Sequence, residues 1–100
     1  MCLAGDAALY VRADGDVLAC CASHTTHVQL GTCVYLLPLR HPTVVAKSVA
    51  ALDYLSGGRV IFGVGVGGEF PREFEASGVP VNERGARTNE AIPLLRRLWS

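Results

Sequence analysis

The chain has 100 residues, half of them hydrophobic, and its nine basic and nine acidic side chains cancel. They cancel within each half too, three against three up to Ala50 and six against six beyond it. No basic stripe points to nucleic acid, and no block of like charge forms an interaction tail.

That length holds one small domain or part of a larger fold. No apolar run approaches the roughly 20 residues that span a bilayer. The opening MCLAGDAALYV carries Asp6 in its apolar part and no early Lys or Arg, which makes a poor signal peptide. Cysteines stand at 2, 20, 21 and 33, without a CxxC and without a Cys/His pair at zinc spacing. The expectation is reduced thiols, a cytoplasmic location, and no metal site, membrane or nucleic-acid partner.

In chain order, Leu9, Tyr10 and Val11 can make a short strand, and Asp14-Gly15 is a turn signal. Asp16 can cap a helix to His24 with Val17, Cys20, Cys21 and His24 on one face. Residues 28–36 are β-branched and apolar, as a buried parallel strand requires. Pro38 and Pro42 end regular structure, and Thr43 can cap a helix to about Leu55. The buried stripe of that helix is Val45, Val49 and Leu52, with Ala46 and Ala50 alongside. Ser56-Gly57-Gly58 stops it, because glycine takes the left-handed C-terminal position without strain. Residues 59–66 form the next buried strand.

Residues 69–78 are expected to be a loop anchored by Phe70 and Phe74. Asn82 then caps a last helix with an apolar stripe of Ala91, Ile92, Leu95, Leu98 and Trp99. Pro93 should kink that helix or delay its regular part.

Alternating buried strands and amphipathic helices predict an α/β fold with parallel strands joined by helical crossovers. A parallel sheet needs both faces covered and neighbours at both edges. Two or three βα units cannot supply that, so the pattern describes part of a fold. A (β/α)8 barrel takes about 250 residues. Chemistry in such folds sits past the C-terminal strand ends, here Thr32, Cys33, Val34 and the run Gly63 to Gly68.

At these residues the chain resembles the luciferase-like monooxygenase family, the bacterial luciferase superfamily of flavin- and F420-dependent oxidoreductases. The matching motifs are LGT at 30–32, LPLRHP at 37–42, LDYLSGGR at 52–59 and FGVGVG at 62–67. EFEASGVPV at 73–81, ERGAR at 83–87 and RRLW at 96–99 follow. The resemblance runs from about Thr25 to Trp99. It implies residues 1–100 as a single partial (β/α)8 TIM barrel domain, covering roughly the third and fourth βα units. Residues 1–15 are atypical of the family's first strand. The resemblance also implies an FMN or F420 ring over the strand ends, contacted by Thr32, Cys33 and Val34 and then by Gly65 and Gly67. A non-proline cis peptide that supports the ring in several family members would fall at Cys33–Val34.

Other readings compete at these residues. Gly63 to Gly68 satisfies GxGxxG, but a dinucleotide fingerprint needs a helix opening at the glycines, and Glu69, Phe70 and Pro71 follow instead. Cys33 can be a small buried hydrophobe, and no neighbour in sequence would activate it as a nucleophile. His41 can serve as an acid/base group, or with Arg40 it can order the turn into the helix. Arg84 and Arg87 suit ion pairs with Glu83, Glu90 or the preceding loop.

The expected function is therefore a segment of a flavin- or F420-dependent oxidoreductase. It would transfer hydride or insert oxygen on a small organic substrate, with no catalytic acid or base identified. The alternative is a truncated, non-catalytic product that forms homo-oligomers through exposed strand edges. A Rossmann-type NAD-binding protein ranks last.

Overall fold

The computed structural model describes residues 9–11 and 15–100, with side chains described from Leu18 onward. The strands are β1 (Leu9–Val11), β2 (Leu30–Thr32), β3 (Tyr35–Leu36), β4 (Val60–Ile61) and β5 (Val64–Gly65). The helices are α1 (Gly15–His24), α2 (Pro42–Ser56), α3 (Pro71–Ser77) and α4 (Arg84–Trp99). Short 3₁₀ turns at Leu37–Leu39 and Val81–Glu83 precede α2 and α4. The chain divides into two compact units, Met1–Tyr35 with Lys47–Val64 and Leu36–Ala46 with Gly65–Ser100. The expectation of an atypical segment at 1–15 falls mostly on residues outside those described.

The first unit holds a three-stranded parallel sheet in the order β1-β2-β4. Leu9 pairs with Leu30 and Val11 with Thr32 on one side of β2, and Leu30 pairs with Val60 on the other. All three residues of β2 are buried, which is why the segment carries no polar alternation. Leu18, Cys21 and Ala22 of α1 pack with Val28 and Leu30, and Leu52 of α2 leans on the cluster. The buried face of α1 is thus Leu18, Cys21 and Ala22, at spacings of three and four. Cys20 and His24, expected on that face, are exposed. His24 Nδ1 instead donates to the Cys20 carbonyl at 2.9 Å.

The two long strands expected at 28–36 and 59–66 are each interrupted, at 33–34 and at 62–63. The cause is local. A Cβ on Gly63 would overlap the carbonyl oxygen of Thr32, so the two chains approach too closely there for an ordinary ladder. Thr32 Oγ1 and the Tyr35 N–H both donate to the Gly63 carbonyl, at 2.7 and 2.8 Å, and replace the missing ladder bonds.

Helix α2 ends as its sequence dictates. Gly57 and Gly58 have φ of +70° and +83°. The Gly58 N–H reaches the Asp53 carbonyl at 2.8 Å and the Gly57 N–H reaches that of Tyr54 at 3.2 Å, the paired bonds of a Schellman stop. Val45 and Ala46 are buried, Val49 and Leu52 half-buried, and Ala50 faces solvent.

In the second unit, residues 71–77 are helical, where a loop was expected. Pro71 opens the helix, Gly78 closes it at φ +70°, and Glu73 and Ala76 favour it between. Phe74 is fully buried and is the anchor, whereas Phe70 is 64% exposed and is not. Asn82 lies inside the 3₁₀ turn and caps nothing, and α4 follows that turn directly. Helix α4 runs unbroken past Pro93, which is exposed and leaves the Asn89 carbonyl without its helical donor. Its buried residues are Thr88, Ala91 and Leu95, while Leu98 and Trp99 are partly exposed. The Trp99 indole N–H donates to the Ala46 carbonyl at 3.0 Å.

Candidate functional site

Strand β2 delivers the residues of greatest interest. Thr32 is buried at its C-terminal end, and its hydroxyl is committed to Gly63. The chain then turns outward. Cys33 is exposed rather than a buried hydrophobe, and the Val34 side chain is 46% exposed. The peptide bond between them is cis, as the resemblance implied. Tyr35 packs its ring against Phe62 at 5.1 Å between centroids, beside its backbone bond to Gly63. The result is a short apolar ledge at a parallel strand's C-terminal end, held from behind by hydrogen bonds.

Gly65 and Gly67 belong to the second unit. Gly65 ends β5, half-buried. Gly67 has φ +65°, and a Cβ there would sit 3.3 Å from both Leu36 and Phe74. Its lack of a side chain thus admits these two hydrophobes as well as setting the backbone turn. No helix opens at the glycine run, since α3 begins only at Pro71. That arrangement lacks the helix N-terminus a pyrophosphate site requires.

Two residues carry more weight than their sequence context suggested. Gly63 is one, for the close approach described above. Arg59 is the other, and it makes five side-chain hydrogen bonds. Nε donates to the Ser56 carbonyl at 2.6 Å. One terminal nitrogen donates to Thr25 Oγ1 and the Val28 carbonyl, and the other to the carbonyls of Ala22 and Thr25. This guanidinium joins the ends of α1 and α2 to the entry of β2. The SGGR sequence flags a helix stop, but only the tertiary structure reveals the partners.

His41 orders the turn into α2, with the Thr43 N–H donating to its Nδ1 at 3.3 Å. Arg87 pairs with Glu83 at 3.0 Å, and Arg84 donates to the Val81 carbonyl at 2.9 Å. His24, His27, Glu69, Glu73 and Glu75 are exposed. Cys21 and Cys33 are free thiols. Among the described residues no cluster of three His, Cys, Asp or Glu could hold a metal ion, and no helix is long and apolar enough to cross a membrane.

Residues 15–100 match the luciferase-like monooxygenase family. The chain belongs to that family. An F420-dependent glucose-6-phosphate dehydrogenase of Amycolatopsis mediterranei (strain U-32) is 43% identical over 83 residues, 79% of this chain and 25% of that protein. Monooxygenase RslO1 from Streptomyces bottropensis superposes with a TM-score of 0.80 at 33% identity, over 93% of this chain and 30% of that one. The oxygenating constituent of 3,6-diketocamphane monooxygenase from Pseudomonas putida, solved with FMN, gives a TM-score of 0.78 over 85% of this chain and 24% of that one. At 22% identity that likeness is one of fold. The chain spans about a quarter of the length of the curated relatives it matches. These luciferase-like structures are (β/α)8 barrels, and the parallel βα units described above are of that architecture.

Proposed function

We propose that this chain is part of a single-barrel flavin- or F420-dependent oxidoreductase of the luciferase-like family, acting on a small organic substrate in the cytoplasm. The observation that carries the reading is the ledge at Cys33–Val34, exposed and apolar at the end of a fully buried parallel strand. An isoalloxazine or deazaflavin ring is flat, and one face of it fits such a surface. When bound, the cofactor supplies the hydride or activates oxygen, and the protein supplies binding, orientation and shielding.

In this proposal Cys33 and Val34 shield one ring face from water, and Thr32 contributes through its backbone because its hydroxyl is already bonded. Gly65 and Gly67 are proposed as backbone contacts on the strength of the family resemblance alone. None of the described side chains is assigned as a catalytic acid or base. Both FMN and F420 carry the flat ring that the ledge would take.

The test is a titration of the full-length protein carrying this segment with FMN and with F420, followed by cofactor fluorescence. Saturable binding of one or both is expected. Replacing Val34 with Asp should abolish it, because a charge would then face the ring. Absence of binding to both cofactors sinks the proposal.

A further inference from the structure

Within the second unit, the turn after β3, the end of α3 and one face of α4 line a cavity of about 410 Å³. That volume suits a small organic molecule. None of the residues proposed to contact the ring lines it. Leu37 and Pro38, both buried, and Leu94 give it an apolar lining. His41, Arg87 and Glu90 give it a polar one, and Arg40 adds a second positive charge.

These polar groups are only partly spent. Arg87 turns toward Glu83, which it holds through Nε and one terminal nitrogen, both at 3.0 Å. Its other terminal nitrogen has no partner among the described residues. Glu90 lies three positions on, a neighbour on the same helix surface. Among the described residues, its exposed carboxylate makes no hydrogen bond or ion pair. His41 Nδ1 accepts the Thr43 N–H at 3.3 Å, which puts the ring's own donor at Nε2. The cavity therefore offers one unpaired anion and several cationic or neutral donors beside apolar surface.

A ligand with only a positive charge would satisfy Glu90 and face two guanidiniums. One with only a negative charge would satisfy the donors and face Glu90. A molecule that carries both charges on one carbon, with an apolar group attached, meets all three linings. We infer that this cavity binds a free α-amino acid with an apolar side chain. Its ammonium meets Glu90, its carboxylate meets Arg87 and His41, and its side chain lies against Leu37, Pro38 and Leu94.

The full-length protein carrying this segment would be titrated with L-leucine and with L-phenylalanine by calorimetry. NMR would follow the His41 ring resonance, assigned by its absence in H41N. Saturable binding of at least one amino acid is expected, together with a shift of that resonance. The matching amine lacks the carboxylate, and the matching acid lacks the ammonium. Each should bind about tenfold more weakly or worse, having lost one charge-assisted contact. E90Q should weaken the amino acid about tenfold without weakening the matching acid, a split that a purely structural Glu90 would not produce.

No saturable binding of either amino acid overturns the inference. So does an amine or acid that binds as tightly as its parent, an unmoved His41 resonance, or equal amino-acid affinity in E90Q. The ring proposal stands or falls separately, since the two sites share no residue.

Discussion

Replacing Arg59 with alanine is expected to be the most damaging single change in the first unit. Its guanidinium makes five hydrogen bonds, four to backbone carbonyls and one to a threonine hydroxyl. At a net value of about 1 kcal/mol each, the five sum to about 5 kcal/mol. The side chain is only half-buried, so water replaces part of what is lost, and about 3 kcal/mol of destabilisation is the working figure. A small domain has about 5–15 kcal/mol in total. The melting temperature should fall by about 10–20 °C. In urea, with a slope near 1.5 kcal/mol per molar, the midpoint should drop by about 2 M. Far-UV circular dichroism of the wild type, R59A and R59K reads both quantities. Lysine restores the charge without the planar fork, so R59K should recover less than half of the loss. A urea midpoint for R59A within about 0.3 M of wild type, or about 0.5 kcal/mol at that slope, would refute the reasoning, since that is what an ordinary surface substitution costs.

Gly63→Ala places a Cβ against the Thr32 carbonyl and should cost about 2–3 kcal/mol in urea unfolding, with FMN and F420 affinity falling together as the ledge shifts. Gly57→Ala is the complementary case, with open space around it and φ at +70°; backbone strain alone should cost about 1–2 kcal/mol and leave cofactor binding unchanged. Thr32→Val removes the hydroxyl donor, but the Gly63 carbonyl keeps its bond from the Tyr35 N–H, so the loss should be about 1 kcal/mol. Cofactor affinity in that variant should stay within about threefold of wild type, or about 0.7 kcal/mol. A larger drop would show the hydroxyl contacting the cofactor directly.

The chain's own pattern fixes much of this architecture. The three strand segments, the span of α2 and its Gly57-Gly58 stop follow from short-range chemistry, where each residue's preference agrees with its neighbours'. The cis bond at Cys33–Val34 came through the family resemblance and not through local propensity. Where local signals were ambiguous, they misled. Residues 71–77 look like a loop because Pro71 and Gly78 bracket so short a piece, yet those same residues open and close a helix. Phe70 and Phe74 carry equal hydrophobicity, and only the packing around Leu36 and Gly67 selects Phe74 as the buried one.

Sequence alone therefore determined the alternation of strand and helix, and the family. Those rest on periodicity, turn chemistry and motif order, which are local along the chain. The tertiary structure decided the breaks in both long strands and the five-bonded position of Arg59. Each depends on atoms distant in sequence: Thr32 and Gly63 are 31 residues apart, and Arg59 lies 37 from Ala22. A glycine that is required because another strand's carbonyl occupies its Cβ position has no local signature, and that is why the sequence could not announce it.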